Sequence, residues 1–273
     1  MPELPEVETV RRSLLRLVGR TVARVATSGL ALRAPVDEKR LARACAGARV
    51  DGVRRVGKYL LLDFSRGDVL LAHLGMSGRF LFADGDAPRE PHTHAVFALD
   101  GGGELRYVDP RRFGFLRACS ADEVAESPEL RALGPDPLSR AFTVDGFADA
   151  LSSSRTPIKS FLLDQSRIAG LGNIYASEVL HRAGVSPRRR ADRLGRARAE
   201  RLHRAIVEVL AAAVSRRGTT FRDYVDADGA RGGNQFHLAV YDRAGEPCPV
   251  CNAAIRRVTQ GARSTFYCPA CQR

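Results

Sequence analysis

The chain has 273 residues, of which 43 are basic and 31 are acidic, so its formal net charge is +12. Hydrophobic residues make up 44% of the chain, and no apolar run approaches the ~20 residues that a membrane-spanning helix needs. The composition predicts a globular protein, excludes a membrane-spanning one, and favours a polyanionic partner such as nucleic acid.

The N-terminal segment predicts an amphipathic helix. It begins with acidic residues and prolines, where a secretory signal would place basic residues followed by an apolar stretch, so we expect a cytoplasmic protein. Pro5 is typical of a first helical turn and Gly19 of a helix end. Between them, five apolar residues share one face at helical spacing: Val7, Val10, Leu14, Leu17 and Val18.

From Thr21 to about Ala118 the pattern changes to short β-type runs that are separated by turn residues. Examples are residues 59–64, 69–74 and 95–99, the last joined through Asp100-Gly101-Gly102-Gly103 to residues 104–108. Repeated short strands with hairpin signals predict an antiparallel β-sandwich or barrel.

Turn residues then mark a linker, which we place at 121–141 on the basis of Ser127-Pro128 and Gly134-Pro135-Asp136-Pro137. Helical patterns follow at 158–165, at 174–183 and in a longer run that ends near Gly218. At ~100–200 residues per domain, the length fits this division.

Four of the six cysteines form two C-x2-C pairs near the C-terminus, separated by sixteen residues. This spacing is typical of a zinc site with four thiolate ligands, in which the intervening segment forms a hairpin. Two disulfides fit poorly with a chain that lacks an export signal. We therefore predict one structural Zn2+, because four protein ligands leave no position for a reactive water. The ligands are Cys248, Cys251, Cys268 and Cys271.

The first residues also suit covalent chemistry. Removal of Met1 exposes the secondary amine of Pro2 beside the carboxyl group of Glu3. An α-amine has a pKa of about 8, against about 10.4 for lysine, so it can attack a sugar C1′ and form a Schiff base at neutral pH. The adjacent carboxyl group can transfer protons. Taken alone, the same residues also fit an ordinary chain terminus.

Two loops suit contacts with nucleic acid. The glycine-rich turn before Asn173 predicts that this residue is the N-cap of a helix, either to bind a phosphate at the helix end or simply to cap it. The segment from Asp109 to Gly114 places Arg111 and Phe113 on one loop. Such a loop can read a base edge and wedge into a base stack, although a plain connection between strands is the alternative.

Six motifs, taken in order with the zinc spacing, resemble the bacterial formamidopyrimidine-DNA glycosylases. The resemblance extends from Pro2 to Gln272, and its motifs are residues 2–9, 57–61, 73–78, 109–114, 170–176 and 261–269. It implies an α+β protein with an N-terminal helix and an antiparallel β-sandwich, then a helix–two-turns–helix domain with a C-terminal four-cysteine zinc finger, and damaged double-stranded DNA held in a cleft. The corresponding domains are 1–120, 142–235 and 236–273.

The resemblance also implies roles for individual residues. Pro2 is the expected Schiff-base nucleophile and Glu3 the general acid, with Glu6 in support. Lys58 is expected to transfer protons and contact phosphate during β-elimination, and Arg263 to act in δ-elimination and phosphate binding. Three residues, Met76, Arg111 and Phe113, are expected to fill the space left by the everted nucleotide, with Arg111 facing the orphaned cytosine. Four residues are expected to hold the DNA backbone: His92, Arg155, Lys159 and Asn173.

Two departures from the family pattern stand out. The family often has an acidic residue between two histidines where this chain has His92-Thr93-His94, and Gly-Arg after the tyrosine where this chain has Tyr241-Asp242-Arg243.

Lysine is rare in this chain. Beside 40 arginines there are only three lysines: Lys39, Lys58 and Lys159. Arginine can replace the charge of Lys58 but not readily its proton transfer.

Three hypotheses remain. The first is a bifunctional glycosylase and lyase of base excision repair that removes oxidised purines, acting as a monomer in the bacterial cytosol, associated with the nucleoid. The second is an endonuclease VIII-like enzyme that prefers oxidised pyrimidines. The third is a zinc-ribbon DNA-binding protein without catalysis. Leu4, Met76 and the pair of Arg111 and Phe113 favour the first.

Overall fold

The computed structural model describes residues 2–273 and divides the chain into two compact units. The first unit, called the sheet unit, contains the chain up to residue 131 and residues 216–233; the second, called the helical unit, contains residues 132–215 and 234–273. Met1, whose removal the predicted chemistry requires, lies outside the described residues. Within the described part, none of the helices has both the length and the apolar character needed to cross a membrane.

The sheet unit begins with the predicted amphipathic helix, α1 (Leu4–Leu14), followed by a 3-10 turn at Leu15–Leu17. The predicted apolar face is confirmed for Val7, Val10, Leu14 and Leu17, which are buried in one core, whereas Val18 follows the end of the 3-10 turn and is exposed. Glu3 is the N-cap residue, and Glu3 and Glu6 form a reciprocal capping box that satisfies backbone N–H groups at the helix start.

Eight antiparallel strands follow α1, with a second helix, α2 (Glu38–Cys45), between the first two of them. Their order in the sheet is β5-β7-β6-β1-β2-β3-β4-β8. Strands β1 and β2 are paired at only two positions, Thr21 with Arg49 and Val22 with Ala48, so the sheet consists of two four-stranded halves. The strands are β1 (Thr21–Thr27), β2 (Ala48–Val56), β3 (Tyr59–Phe64), β4 (Asp68–His73), β5 (Arg79–Ala83), β6 (Thr93–Leu99), β7 (Glu104–Val108) and β8 (Phe115–Ser120).

Alternating side chains build the two faces of this sheet. In β3, Leu60 and Leu62 join a core that also takes Phe80 and Phe97 from the other half of the sheet. Leu61 points to the opposite side, into a smaller cluster near residue 124. The shared core of the two halves matches the predicted antiparallel β-sandwich.

The predicted linker at 121–141 contains two short helices, α3 (Ala121–Ala125) and α4 (Pro128–Arg131), and the boundary between the units falls at 131/132. Residues 216–233 also differ from the prediction, which placed them in the helical domain. They group with the sheet unit because Ala227 bridges it through two hydrogen bonds, donating its N–H to Ser13 Oγ (3.0 Å) and accepting the N–H of Phe82 (2.9 Å).

The helical unit contains four α-helices, two short 3-10 helices and a C-terminal hairpin. Helix α7 (Asn173–Ala183) packs against α8 (Gly195–Ser215), and α7 also contacts the second strand of the hairpin. Phe147, Phe161, Leu202 and Ile206 are buried in this unit. Its elements are α5 (Val144–Ser152), α6 (Ile158–Leu163), α7 (Asn173–Ala183), α8 (Gly195–Ser215), β9 (Arg256–Gln260) and β10 (Arg263–Tyr267).

Candidate functional site

Pro2 and Glu3 lie buried at the start of α1, with Glu3 2% exposed. The backbone N–H of Glu3 donates to Glu6 Oε2 at 2.8 Å, so the first residues of the chain are fixed to the first helical turn. A carboxylate at a helix N-terminus is also stabilised by the helix dipole. The structure thus places Pro2, whose nitrogen becomes a secondary amine only when Met1 is removed, directly next to Glu3 at a capped helix start.

Glu6 connects the start of α1 to the loop after α8. Its Oε2 accepts the N–H of Glu3, and its Oε1 accepts the N–H of Thr219 at 2.7 Å. Gly218, with φ of +77°, approaches so closely that an added Cβ would lie 2.8 Å from Glu6 Oε1. Tyr224 donates its hydroxyl to the Glu6 carbonyl at 3.3 Å, and burial, together with the charge of Glu6, raises the pKa of Tyr224. Glu6 therefore supports both the N-terminus and this loop.

Lys58 is in the turn between β2 and β3 and is 8% exposed. The preceding residues of this turn are tied to α1, because Arg55 pairs with Glu8 at 3.2 Å and donates to the Gly57 carbonyl at 3.0 Å. Burial opposes ionisation of Glu8, but hydrogen bonds from Arg11 and Arg12 outweigh it and lower the pKa of Glu8 to about 2. Glu8 was missed at the sequence level, although its spacing from both arginines is typical of helical ion pairs.

His73 ends β4 beside the Met76 turn. Its Nδ1 accepts the N–H of Gly75 at 2.9 Å, which requires the neutral ring with an unprotonated Nδ1. Burial, and then the charges of Arg33 and Lys58, lower the pKa of His73 to about 4. The residue is therefore uncharged at neutral pH and fixes the turn that leads to Met76.

Met76, Arg111 and Phe113 lie exposed on two touching loops, with Met76 39% and Phe113 45% exposed. The Arg111 guanidinium carbon lies 4.8 Å from the centroid of the Phe113 ring, which is a cation–π arrangement. A Cβ on Gly75 would lie 2.4 Å from the nitrogen of Gly114, so the close approach of the two loops requires glycine. The three residues predicted to fill the space left by an everted base are thus presented together.

Asp109 anchors these two loops and was missed as an individual residue by the sequence reasoning. It is fully buried, and its carboxylate accepts hydrogen bonds from Ser77 Oγ at 2.6 Å and from the Gly114 N–H at 2.8 Å. The only sequence signal is an aspartate at the start of a turn, where its side chain can bond to backbone N–H groups that follow.

The helical unit holds the remaining predicted residues except His92. Lys159 is 1% exposed, and its Nζ donates to the Ser264 carbonyl at 2.9 Å and to Thr265 Oγ1 at 2.7 Å. In the described structure this amine thus supports β10 by hydrogen bonds, whereas the sequence predicts a contact with the DNA backbone. Arg155 and Arg263 are exposed in this unit, and His92 is exposed in the sheet unit.

The predicted N-cap role of Asn173 needs correction. Gly172 is the N-cap residue of α7 and Asn173 is the first helical residue. The Asn173 side-chain amide instead donates to the Ser264 carbonyl at 2.9 Å, because β10 lies against the start of the helix. Its Oδ1 is buried without a hydrogen-bond partner among residues 2–273. Asn173 and Lys159 therefore converge on the residue that follows Arg263.

The four predicted zinc ligands come together in the helical unit, with all four Sγ atoms within 4.8 Å of one another. The Sγ atoms of Cys248 and Cys271 are 3.9 Å apart, and those of Cys251 and Cys268 are 3.4 Å apart. Zn–S bonds of about 2.3 Å in a tetrahedron separate the sulfur atoms by about 3.8 Å. All four thiols are free of disulfides, and the set fits one structural zinc ion.

Buried polar groups on α7 support this metal site. Glu178 accepts three successive backbone N–H groups, those of residues 239–241, at 2.7 to 3.0 Å. His181 Nε2 lies 3.4 Å from Cys248 Sγ. Such outer contacts orient metal ligands. Sequence reasoning did not identify either residue, because the contacts join segments more than 60 residues apart.

The chain matches three family models, whose descriptions are formamidopyrimidine-DNA glycosylase N-terminal domain over residues 1–116, formamidopyrimidine-DNA glycosylase H2TH domain over residues 133–225, and zinc finger found in FPG and IleRS over residues 245–273. The formamidopyrimidine-DNA glycosylase of Moorella thermoacetica is 48% identical over 259 residues, which cover 94% of each chain.

Solved structures of the Lactococcus lactis Fpg protein are similar throughout. A variant of that protein in complex with a Fapy-dG containing DNA has 36% identity and a TM-score of 0.93, with both chains fully covered. The wild-type protein in complex with an oxidised pyrimidine containing DNA has 35% identity and a TM-score of 0.91, also over both full chains. With its sandwich, its helical unit and its zinc site, the chain belongs to the formamidopyrimidine-DNA glycosylase family of base excision repair.

Proposed function

We propose that the chain is a bifunctional DNA glycosylase and abasic-site lyase that removes 8-oxoguanine and formamidopyrimidines from double-stranded DNA. The observation that carries the proposal is the start of α1, where Pro2, whose amine is free once Met1 is removed, adjoins the buried carboxyl group of Glu3 at a capped helix start. A secondary amine in this position has the nucleophilicity and the proton donor that Schiff-base chemistry needs.

In the proposed reaction, the Pro2 nitrogen bonds to the sugar C1′ while the bond from C1′ to the damaged base breaks, and the base leaves with a proton. Glu3 donates a proton to the sugar ring oxygen, which opens the ring and leaves an iminium ion. Loss of a C2′ proton then breaks the C3′–O bond, and a second elimination breaks the C5′–O bond. Hydrolysis of the remaining iminium frees Pro2.

Lys58 and Arg263 are proposed to serve the elimination steps. Lys58 is a buried-turn amine that can exchange a proton, which a guanidinium cannot do readily. Arg263 is exposed at the start of β10 and offers a fixed positive charge to a phosphate leaving group. Zinc takes no part in these steps, because its four thiolate ligands leave no open position.

Met76, Arg111 and Phe113 are proposed to fill the space left by the everted nucleotide, with Arg111 reading the orphaned cytosine. Their common exposure on two anchored loops supports this role. Eversion is needed because the glycosidic carbon is inaccessible inside a stacked duplex, and it costs only a few kcal/mol. His92, Arg155, Lys159 and Asn173 are proposed to hold the DNA backbone, Lys159 and Asn173 in part through the hairpin that they support.

A preference for oxidised pyrimidines is the second candidate. A complex of the Lactococcus lactis relative with an oxidised pyrimidine containing DNA is the observation that favours it. The test compares excision from 8-oxoguanine·C, 8-oxoguanine·A and 5-hydroxycytosine duplexes, with analysis of the released base and of both DNA ends. We expect the highest kcat/KM on 8-oxoguanine·C and phosphates on both ends of the gap. A clear preference for the pyrimidine would reverse the two candidates, and no excision of any lesion would contradict both.

A further inference from the structure

We propose that Asp109 is the positioning residue that fixes Met76, Arg111 and Phe113 in one register, and that it thereby sets discrimination by the base opposite the lesion. The proposal rests on the proposed function of those three side chains. Asp109 itself is 0% exposed, so it acts through other residues and has no direct contact with DNA in the proposal.

Both carboxylate oxygens of Asp109 are engaged. Oδ1 accepts the hydroxyl of Ser77 at 2.6 Å and lies 3.3 Å from the N–H of Arg111, which also donates to Ser77 Oγ at 3.2 Å. Oδ2 accepts the N–H of Gly114 at 2.8 Å. Hydrogen bonds to a charged acceptor are roughly twice as strong as neutral ones. The carboxylate therefore joins two loops through the contact of Asp109 with Ser77, which is 32 residues away in sequence.

Each partner of this carboxylate controls one of the three exposed side chains. Ser77 follows Met76, Gly114 follows Phe113, and the N–H of Arg111 is bound directly. One buried group thus sets the relative positions of all three. The Asp109 main chain is fixed as well, since its carbonyl accepts the N–H of Arg112 at 3.2 Å and lies 3.1 Å from His94 Nε2.

Anchoring through the backbone matters here because the three side chains are exposed, with Phe113 45% and Met76 39% accessible. Exposed side chains lack the surrounding packing that holds a core residue in one rotamer. Arg112, between Arg111 and Phe113, has a φ of +54°, a conformation that non-glycine residues rarely adopt without support. The Asp109 hydrogen bonds provide that support on both sides of Arg112.

Glu104 offers a matched control. It lies at the other end of β7, the strand that leads directly into Asp109, and it is also a buried carboxylate, 6% exposed. Its hydrogen bond comes from Arg106, on its own strand and away from the two loops. Glu104→Gln removes a buried negative charge from the same strand and leaves the loops of Met76 and Arg111 intact.

The experiment compares Asp109→Ala, Asp109→Asn, Ser77→Ala and Glu104→Gln with the wild type. Each preparation is titrated by borohydride trapping on a preformed abasic site, so that rates refer to folded, active protein. The readout is the ratio of kcat/KM for excision opposite C to that opposite A. Hydrogen–deuterium exchange of residues 109–114 in the free proteins gives a second readout that does not depend on activity.

For Asp109→Ala we expect the ratio to fall by about tenfold, close to the value of one lost base contact, with faster exchange at 109–114. The ratio for Asp109→Asn is expected to lie between those of Asp109→Ala and the wild type, because an amide has one acceptor oxygen where the carboxylate has two. Ser77→Ala is expected to lower the ratio less than Asp109→Ala, and Glu104→Gln to leave it unchanged.

An unchanged ratio in Asp109→Asn and Ser77→Ala, or an equal fall in Glu104→Gln, would overturn the proposal, even if Asp109→Ala fails to fold. A wild type that excises no lesion would instead contradict the proposed function. The exchange measurement would still test in that case whether Asp109 holds the two loops.

Discussion

The two units of the chain differ in charge and in what stabilises them. The sheet unit has 25 basic and 21 acidic residues, whereas the helical unit has 18 and 10, so the smaller unit carries a net +8 of the total +12. The sheet unit buries one large apolar core across both halves of its sheet. The C-terminal hairpin of the helical unit has only a small cluster, of which two members are the zinc ligands Cys248 and Cys268.

This difference indicates that buried polar groups serve different purposes in the two units. In the sheet unit, buried carboxylates hold the segments whose residues are proposed to react or to read bases: Glu6 holds the N-terminus, Glu8 the Lys58 turn and Asp109 the Met76 and Arg111 loops. In the helical unit, buried polar groups such as Glu178 hold the zinc hairpin. In the proposed function, the Schiff-base chemistry and base reading belong to the sheet unit, whereas the helical unit contributes Arg263 and the larger share of the net positive charge.

Removal of zinc is expected to produce the largest difference in stability between the two units. Because structural zinc contributes about 10–16 kcal/mol in zinc-finger peptides, chelation is expected to unfold residues of the hairpin and to abolish strand nicking. The sandwich is expected to keep its hydrogen-exchange protection, since its core contains no metal ligand. The measurement is exchange by mass spectrometry with and without chelator. Loss of protection in both units together would contradict this difference.

Lys58→Arg tests whether the sheet unit contributes chemistry or only charge at this turn. Arginine keeps the positive charge but exchanges a proton poorly, so β-elimination at a preformed abasic site is expected to slow by about 10²–10⁴-fold. DNA affinity, measured by anisotropy at fixed salt, is expected to stay near the wild-type value. A matched variant, Lys39→Arg, lies on the exposed face of α2 and should change neither quantity. Equal loss of affinity and rate in Lys58→Arg would reduce Lys58 to a phosphate contact.

His73 is expected to make the stability of the sheet unit sensitive to acid. Its folded pKa of about 4 lies below the usual 6.5, so its contribution to stability is present above pH 6.5 and is lost as the pH falls towards 4. The shift corresponds to about 3 kcal/mol in the free energy of unfolding. His73→Asn keeps an acceptor for the Gly75 N–H but cannot titrate, so its unfolding free energy should fall less between pH 7 and pH 4. Parallel pH profiles for the two proteins would assign the acid sensitivity to other groups.

Of these four changes, Arg111→Ala is expected to have the smallest effect in free energy. Loss of a direct base contact should weaken discrimination by the opposite base by about 1–3 kcal/mol, measured as the ratio of kcat/KM opposite C and opposite A. Arg112→Ala is a suitable neighbour control, since its guanidinium contacts the Ala31 carbonyl instead. An equal loss against every opposite base would assign Arg111 to phosphate contact.

Local patterns in the sequence predicted much of the fold. Helical spacing identified α1, β-type runs identified strands such as β3 and β7, and cysteine spacing identified the metal site. These features depend on residues that are close in sequence or on a fixed ligand chemistry, so they are readable without coordinates.

Features that depend on distant contacts were not readable. Lysine is normally exposed, and the burial of Lys159 depends on partners such as Ser264 and Thr265, which are 105 and 106 residues away. The same applies to residues 216–233, which join the sheet unit through bonds such as that from Thr219 to Glu6, 213 residues apart. Such pairs follow from the tertiary fold, and no local periodicity encodes them.

The proposed function depends above all on a covalent link between the Pro2 amine and DNA, and peptide mapping of the borohydride-trapped complex tests this link most directly. Protein with verified removal of Met1 is reduced in the presence of an 8-oxoguanine·C duplex, digested and analysed by mass spectrometry, beside a control chain that carries extra residues before Pro2. We expect an adduct on Pro2 in the first protein and none in the second. An adduct on Lys58, or no adduct from the correctly processed protein, would contradict the assignment of Pro2 as the nucleophile.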